Sequence, residues 1–383
     1  MVEREVQHQI EDQMFPGGEK QPVIVIYGAR QVGKTTLSKV IMKKYSDRAD
    51  YYNCDYLDVQ QLFSWERISE IGSVLKNIKL LILDEAQRIK NIGLVLKILV
   101  DEYPDVQVIA TGSSSFDLSN QINEPLTGRK RIFQLFPFSF GEISSNLNQL
   151  EKRRILTDKL RYGMYPGLLE LSEKEKEVHL KELCGSYLFK DVFALQQIKK
   201  PEAFEKLLRL LAFQIGHEVS YHELSREIGV DQTIVQRYLY LLEESFIILR
   251  VNAFSKNLRN EVSKSRKIYF WDLGIRNALI QNHNSLDLRN DAGQLWENFC
   301  VIERIKFLRN HQVNKNFFFW RTYQQKEIDY IEEAGGVINA WEFKWSERKK
   351  PPVPANFAKA YPEAKYQVIS PENFQQVLFS TEN

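Results

Sequence analysis

Eight residues beginning at Gly28, GARQVGKT, carry two glycines, a lysine and a threonine at fixed spacing. The glycines let the backbone turn so that its N–H groups, with the first turn of a following helix, converge on an anion. Lys34 adds a charged donor, and Thr35 a hydroxyl able to ligate a divalent cation. The pattern G-x-x-x-x-G-K-[ST] is that of a phosphate-binding loop. Gly28, Gln31, Val32, Gly33, Lys34, Thr35 and Thr36 are therefore expected to hold ATP, with Lys34 on the β/γ-phosphates and Thr35 on Mg²⁺. Further along, LLILDEAQ ends an apolar run on two acids. Asp84 is expected near the Mg²⁺ and Glu85 where it polarises the attacking water, a second carboxylate that favours hydrolysis over bare nucleotide sensing. The next apolar run ends in ATGSSS. There Thr111, Ser113 or Ser114 either senses the γ-phosphate from the sheet's carboxyl edge or belongs to a simple turn; Ser113 is the expected contact. LTGRKRIF offers Arg129, Lys130 and Arg131. Any one of them most simply belongs to a solvated basic loop; Arg129 is the candidate for stabilising transition-state charge, and acting in trans it would require an oligomer.

A second constellation lies near the end of the chain. WENF places Glu297 on a helix, and KEIDYI places Asp329 on a strand, opposite in face to Ile328 and Tyr330. A turn at AGG leads to INAWEFKW, where alternation sets Glu342 and Lys344 side by side. Asp329 and Glu342, aided by Glu297, suit one or two Mg²⁺ ions, which polarise a scissile phosphate and activate water. Lys344 would orient or deprotonate that water. The E-x-K spacing recurs at Glu347 and Lys349 in a loop-like stretch, so the order of helix acid, strand acid and E-x-K carries the signal. The competing reading is a set of structural ion pairs.

These groups need elements to hold them. Residues 21–140 alternate apolar runs with helical patterns (PVIVIYG, YYNCD, IKLLILDEA, LVLKILVDEY, DVQVIATGSS, KRIFQLFPF). That predicts an α/β P-loop NTPase domain on a parallel sheet, preceded by a polar helix within 1–20. Residues 141–200 read as a helical lid. Over 201–255 a helix, a tight turn at Gly229, a second helix and the strand FIILRV outline a winged helix-turn-helix. Ser220 and Glu223 form a capping box opening the first of these helices, and Asp231 can cap the second. The second helix would expose Gln232, Thr233, Gln236, Arg237 and Tyr240; Arg237 is its one cation, a thin footprint for DNA. KNLRNEVSKSRK downstream is more basic, with Lys256, Arg259, Lys264, Arg266 and Lys267. Residues 256–383 then read as a mixed α/β domain with the order of PD-(D/E)XK nucleases.

Composition bounds the rest. The 383 residues are 43% hydrophobic and 27% charged with a formal charge of +2, ordinary for a globular protein and uninformative about an acidic or basic partner. Cys54, Cys184 and Cys300 are far apart, which argues against a disulfide frame or a cysteine zinc site and for a reducing compartment. No apolar run is long enough for a membrane span, and MVEREVQHQI lacks a signal core, so a cytoplasmic protein is expected.

GARQVGKTTL, LILDEAQRI, ATGSSSFDL, LTGRKRIFQLFPFSFGE and YGMYPGLLE, in this order, resemble motifs of a widespread prokaryotic family of AAA-type ATP-binding proteins, akin to STAND ATPases, with a C-terminal domain of unknown function. GSYLFKDV, KIYFWDLGIRNAL, GQLWENF, FWRTYQQKEIDYI and WEFKWS extend the likeness along nearly the whole chain. The resemblance implies an ATPase core, a winged helix and a nuclease-like tail. The expected function is a Mg²⁺-dependent ATPase whose nucleotide state controls the nuclease-like domain, with DNA as a candidate partner. The alternative is an ATP-switched binding or signalling protein with an inert nuclease-like scaffold.

Overall fold

The computed structural model describes residues 2–16, 20–45, 48–112, 122, 125–188, 198, 200–255, 266–322, 324–346 and 350–381. The chain divides into two units, residues 1–138 with 244–246, and residues 139–243 with 247–383.

In the first unit, α1 (Glu5–Asp12) precedes β1 (Val23–Tyr27), α2 (Lys34–Met42) and β2 (Ala49–Asn53). Short helices α3 (Leu57–Leu62) and α4 (Gly72–Leu75) lead to β3 (Leu80–Asp84), α5 (Ile92–Glu102), β4 (Gln107–Gly112) and β5 (Lys130–Gln134). The strands form one parallel sheet in the order β2-β3-β4-β1-β5. Parallel neighbours need crossover connections, which α2 and α5 supply. Every residue of β1, β3 and β4 is buried, as their unbroken apolar runs require of strands covered on both faces. The order inserts β4 between β1 and β3, so the carboxyl end of β4 stands between the loop after β1 and the acids after β3.

The second unit opens with helices α6 (Phe140–Ser144), α7 (Gln149–Tyr162) and α8 (Glu173–Glu182). Capping boxes at Ser139/Glu142 and Asn148/Glu151 satisfy the first N–H groups of α6 and α7. Helices α9 (Pro201–Phe213), α10 (Tyr221–Ile228) and α11 (Gln232–Glu244) follow, with Gly229 ending α10 at φ 68°. Ser220 Oγ accepts from Glu223 N (3.3 Å), the half of the expected capping box that is formed. β6 (Ile248–Asn252) pairs antiparallel with β7 (Arg266–Phe270), and Glu218 bridges to Lys267. Position 255/256, the expected boundary between the winged helix and the last domain, lies between these two paired strands. Lys256, Arg259 and Lys264 of the basic run lie outside the described residues.

After α12 (Leu273–Leu279), α13 (Ala292–Asn310) leads to β8 (Asn316–Arg321), β9 (Glu327–Ala334), β10 (Val337–Phe343), α14 (Ala355–Ala360), β11 (Lys365–Ile369) and α15 (Phe374–Leu378). The sheet order is β11-β10-β9-β8, with β8, β9 and β10 antiparallel and β11 parallel to β10 across α14. Charged residues on α13 are buried because each is paired. Arg304 bonds both Glu332 oxygens and the carbonyls of Leu378 (2.8 Å) and Ser380 (2.7 Å). Arg304→Met should cost about 3–5 kcal/mol, since it strands a buried carboxylate. Urea unfolding followed by tryptophan fluorescence would measure the cost; a loss below about 1 kcal/mol would show that Lys315, 3.2 Å from Glu332, suffices.

Candidate nucleotide site and acidic cleft

The loop between β1 and α2 has the geometry its glycines suggest, for two different reasons. Gly33 adopts φ 98°, a region open to glycine. Gly28 is needed for packing: a Cβ there would stand 2.1 Å from the Leu135 carbonyl oxygen, where β5 passes β1. Lys34 is buried, and its Nζ donates to the carbonyls of Gly28 (2.8 Å) and Ala29 (2.9 Å). Thr35 Oγ1 donates to Asp84 Oδ2 at 2.7 Å, which joins the loop to the end of β3. Hydroxyl and carboxylate oxygens side by side are hard donors suited to Mg²⁺, and the loop's N–H groups at the start of α2 suit phosphate.

Two further hydroxyls hold Asp84. Tyr51, from β2, donates to Oδ2 at 2.6 Å, and Thr111, at the end of β4, donates to Oδ1. Burial, then the bond to Asp84, raises the Tyr51 phenol well above its ordinary value. Thr111 Oγ1 also accepts from Glu85 N (3.1 Å). Glu85 has φ 54°, and Gln87 Nε2 donates to its carboxylate (2.5 Å). The sheet order thus brings Lys34, Thr35, Asp84, Glu85 and Thr111 to one edge.

Arg129 does not join them. It precedes β5, and its carbonyl accepts from Val23 N at the start of β1 (2.9 Å). That is the amino edge of the sheet, a strand's length of roughly 16 Å from the phosphate loop. Its guanidinium pairs instead with Asp101 (2.7 Å). Arg129 is therefore not placed to contact phosphate bound by its own chain. Ser113 and Ser114 lie outside the described residues.

In the second unit, the register Tyr330↔Trp341 sets Asp329 and Glu342 as the next cross-strand pair, side chains on a common face. Phe343 N donates to Asp329 Oδ2 (2.8 Å), and Lys344 Nζ donates to Glu342 Oε1 (2.5 Å). Glu342 Oε2 is buried without a hydrogen-bond partner. Glu297 reaches in from α13, and its oxygens lie within 4.8 Å of those of Asp329 and of Glu327. Glu342 is not part of that group. Glu327 is the acid missed in the sequence; its i, i+2 spacing from Asp329 on one strand was the available signal. Glu297, Glu327 and Asp329 line a cleft of about 460 Å³ with Gly216, Arg321 and Lys344.

Lys267, from β7, is fully buried against this group. Its ammonium pairs with Glu297 (2.8 Å) and Glu327 and stands 3.8 Å from Asp329. Tyr269 donates to Glu297 Oε1 (2.7 Å). Burial lifts the Glu297 carboxyl to about 7, Lys267 pulling against it and Asp329 pushing with it. Burial and then Asp329 raise Glu342 to about 7 as well. Burial also raises Asp329, although Lys267 and Lys344 oppose it. The desolvated Lys267 ammonium is held well above its ordinary value because the surrounding carboxylates outweigh burial.

No helix among the described residues is long and apolar enough to cross a membrane. Residues 20–144 match the family described as an AAA domain, and residues 153–286 and 292–381 match two domains of unknown function, DUF8612 and DUF4143. An uncharacterized protein of Mycobacterium tuberculosis is 27% identical over 85% of this chain and 70% of its own length. One from Methanocaldococcus jannaschii is 26% identical over 85% and 74%. Among solved structures, the Walker-type ATPase of Pyrococcus abyssi aligns over 73% of this chain and 96% of its own, at 15% identity and a TM-score of 0.51. With the parallel sheet order and the glycine–lysine–threonine loop, these likenesses give the N-terminal unit the fold of a P-loop AAA-type ATPase.

Proposed function

We propose that this chain is a Mg²⁺-dependent ATPase whose nucleotide state controls a metal-dependent nuclease domain in its second unit. The observation that carries the ATPase is the 2.7 Å contact of Thr35 with Asp84 beside the buried Lys34: a hydroxyl, a carboxylate and an ammonium at the mouth of one glycine turn. Lys34 would move from its carbonyl partners to the phosphates, Thr35 and Asp84 would hold Mg²⁺ directly or through water, and Glu85 would orient the attacking water. Thr111 fixes both acids and is the residue best set to report the γ-phosphate to them.

In the second unit, α13 followed by three antiparallel strands, a helix and a parallel strand supports the PD-(D/E)XK reading, with Glu297, Asp329 and Lys344 lining its cleft and Glu342 across the strand pair from Asp329. A divalent ion bound there would polarise a phosphodiester and lower the pKa of a bound water. Asp329 and Glu342 would supply its oxygen ligands, and Lys344 would orient the water and offset charge on the phosphate. Helices α9 to α11 with β6, β7 and the Glu218 bridge support a winged helix. The exposed Gln232, Thr233, Gln236, Arg237 and Tyr240 of α11 are its candidate contacts to DNA.

One observation favours a second reading, an ATP-switched protein whose nuclease-like domain is an inert scaffold: the acids already have Lys267 as a counter-ion. Cleavage of supercoiled and single-stranded DNA with Mg²⁺ or Mn²⁺, with and without ATP, separates the two. ATP-dependent cleavage supports the nuclease; steady ATP hydrolysis with no cleavage of any substrate supports the scaffold. Lys34→Ala should weaken ATP binding by about 10–100-fold, the loss of a charge-assisted hydrogen bond. Unchanged ATP affinity in that variant, measured calorimetrically, would overturn the site assignment.

A further inference from the structure

We infer that Lys267 is a built-in cation of the acidic cleft, filling one of two cation positions, so that the cleft takes a single divalent ion. The inference rests on the metal-site reading above and adds its stoichiometry and the residue that sets it. Carboxylates placed as closely as those of Glu297, Glu327 and Asp329, within 4.8 Å of one another, would serve one metal ion well. Yet this position already holds a positive charge. The Lys267 ammonium contacts Glu297 and Glu327, faces Asp329 at 3.8 Å, and is sealed from solvent.

Several features keep it there. Lys267 sits in the middle of a strand paired on one side with Val251 of β6 and bridged on the other to Glu218, so its backbone is fixed. Tyr269, two residues on and on the same face, donates to the Glu297 oxygen that Lys267 also contacts. Arg321 approaches Glu327 from the other side at 3.4 Å. A divalent ion placed between Glu297 and Glu327 would take the position of the ammonium that pairs with both, in a low-dielectric site where like charges repel strongly, whereas Asp329 stands farther off at 3.8 Å and Lys344 occupies only Oε1 of Glu342. The oxygen without a hydrogen-bond partner is elsewhere, on Glu342, across the strand pair from Asp329. One ion therefore binds at Asp329 and Glu342, and the ammonium does the electrostatic work of a second.

Counting bound Mn²⁺ on the full chain without nucleotide, by electron paramagnetic resonance and calorimetry, tests this. The parent should bind one tight ion, Lys267→Met two, Lys267→Arg one and Glu342→Gln none. One ion in the parent and still one in a folded Lys267→Met overturns the inference and leaves the metal-site reading standing. Two tight ions in the parent overturn it whether or not Lys267→Met folds. No tight ion in any variant overturns both this inference and the reading beneath it.

Discussion

Glu85→Gln should lower ATP turnover by about 10²–10⁴-fold while leaving ATP affinity within about threefold of the parent. The size is that of removing a positioned general base. The direction follows from where Glu85 sits. It is the residue after Asp84, turned off the strand at φ 54°, with its N–H on Thr111 and its carboxylate on Gln87. Glutamine keeps the bond to Gln87 and the volume but cannot draw a proton from water. Because the bonds of Lys34 to the Gly28 and Ala29 carbonyls and of Thr35 to Asp84 do not depend on the Glu85 side chain, the phosphate grip should survive. Single-turnover hydrolysis and equilibrium nucleotide binding measure the two quantities separately. A rate within threefold of the parent would move the base elsewhere; a matching loss of affinity would mean that Glu85 holds the nucleotide.

Glu342→Gln should abolish the proposed metal-dependent cleavage, by about 10³-fold or more for loss of a metal ligand, and yet make the metal-free protein more stable at pH 8. The stability half follows from linkage. The carboxyl titrates near 7 in the folded protein against an ordinary 4.5, because burial and Asp329 disfavour its charge. A raised acid contributes stability that is present below its unfolded value and lost as pH climbs through 7. The charged form is therefore a burden at pH 8 that the neutral amide does not carry, on the order of 1–3 kcal/mol. The gap between parent and variant should close as pH falls toward 5. Thermal unfolding at both pH values, in chelator, would show it; a variant less stable at pH 8 would mean that the Lys344 pair outweighs burial.

The first unit was legible because its chemistry is local in sequence. The loop, the helix after it and the acids that end an apolar run each announce themselves within ten residues, and parallel strands buried on both faces leave runs such as LLILD that no surface strand carries. Contacts between distant strands were not legible. Tyr51 bonds Asp84 only because β2 lies beside β3, and a basic cluster before an apolar run, such as Arg129, Lys130 and Arg131, does not reveal which end of the strand it occupies. Gly28 was seen, but its reason was not: the Leu135 carbonyl that excludes a side chain there follows β5, more than a hundred residues away. In the second unit the order of Glu297, Asp329, Glu342 and Lys344 was visible and Lys267 was not. It reads as one cation in a basic run, and only the pairing of β7 with β6 turns it toward the acids.

The bonds at the phosphate loop also set an order of arrival. Lys34 is shared between two carbonyls, and Thr35 and Asp84 are bonded to each other. A lone magnesium ion approaching Asp84 would have to part that pair and offer little beyond its own charge in return. An ion chelated by a triphosphate brings replacement oxygens for Lys34 as it takes Thr35, so every bond broken is matched by one made. Cation and nucleotide should therefore enter as one complex and leave in the reverse manner, the ion loosening once the terminal phosphate no longer holds it.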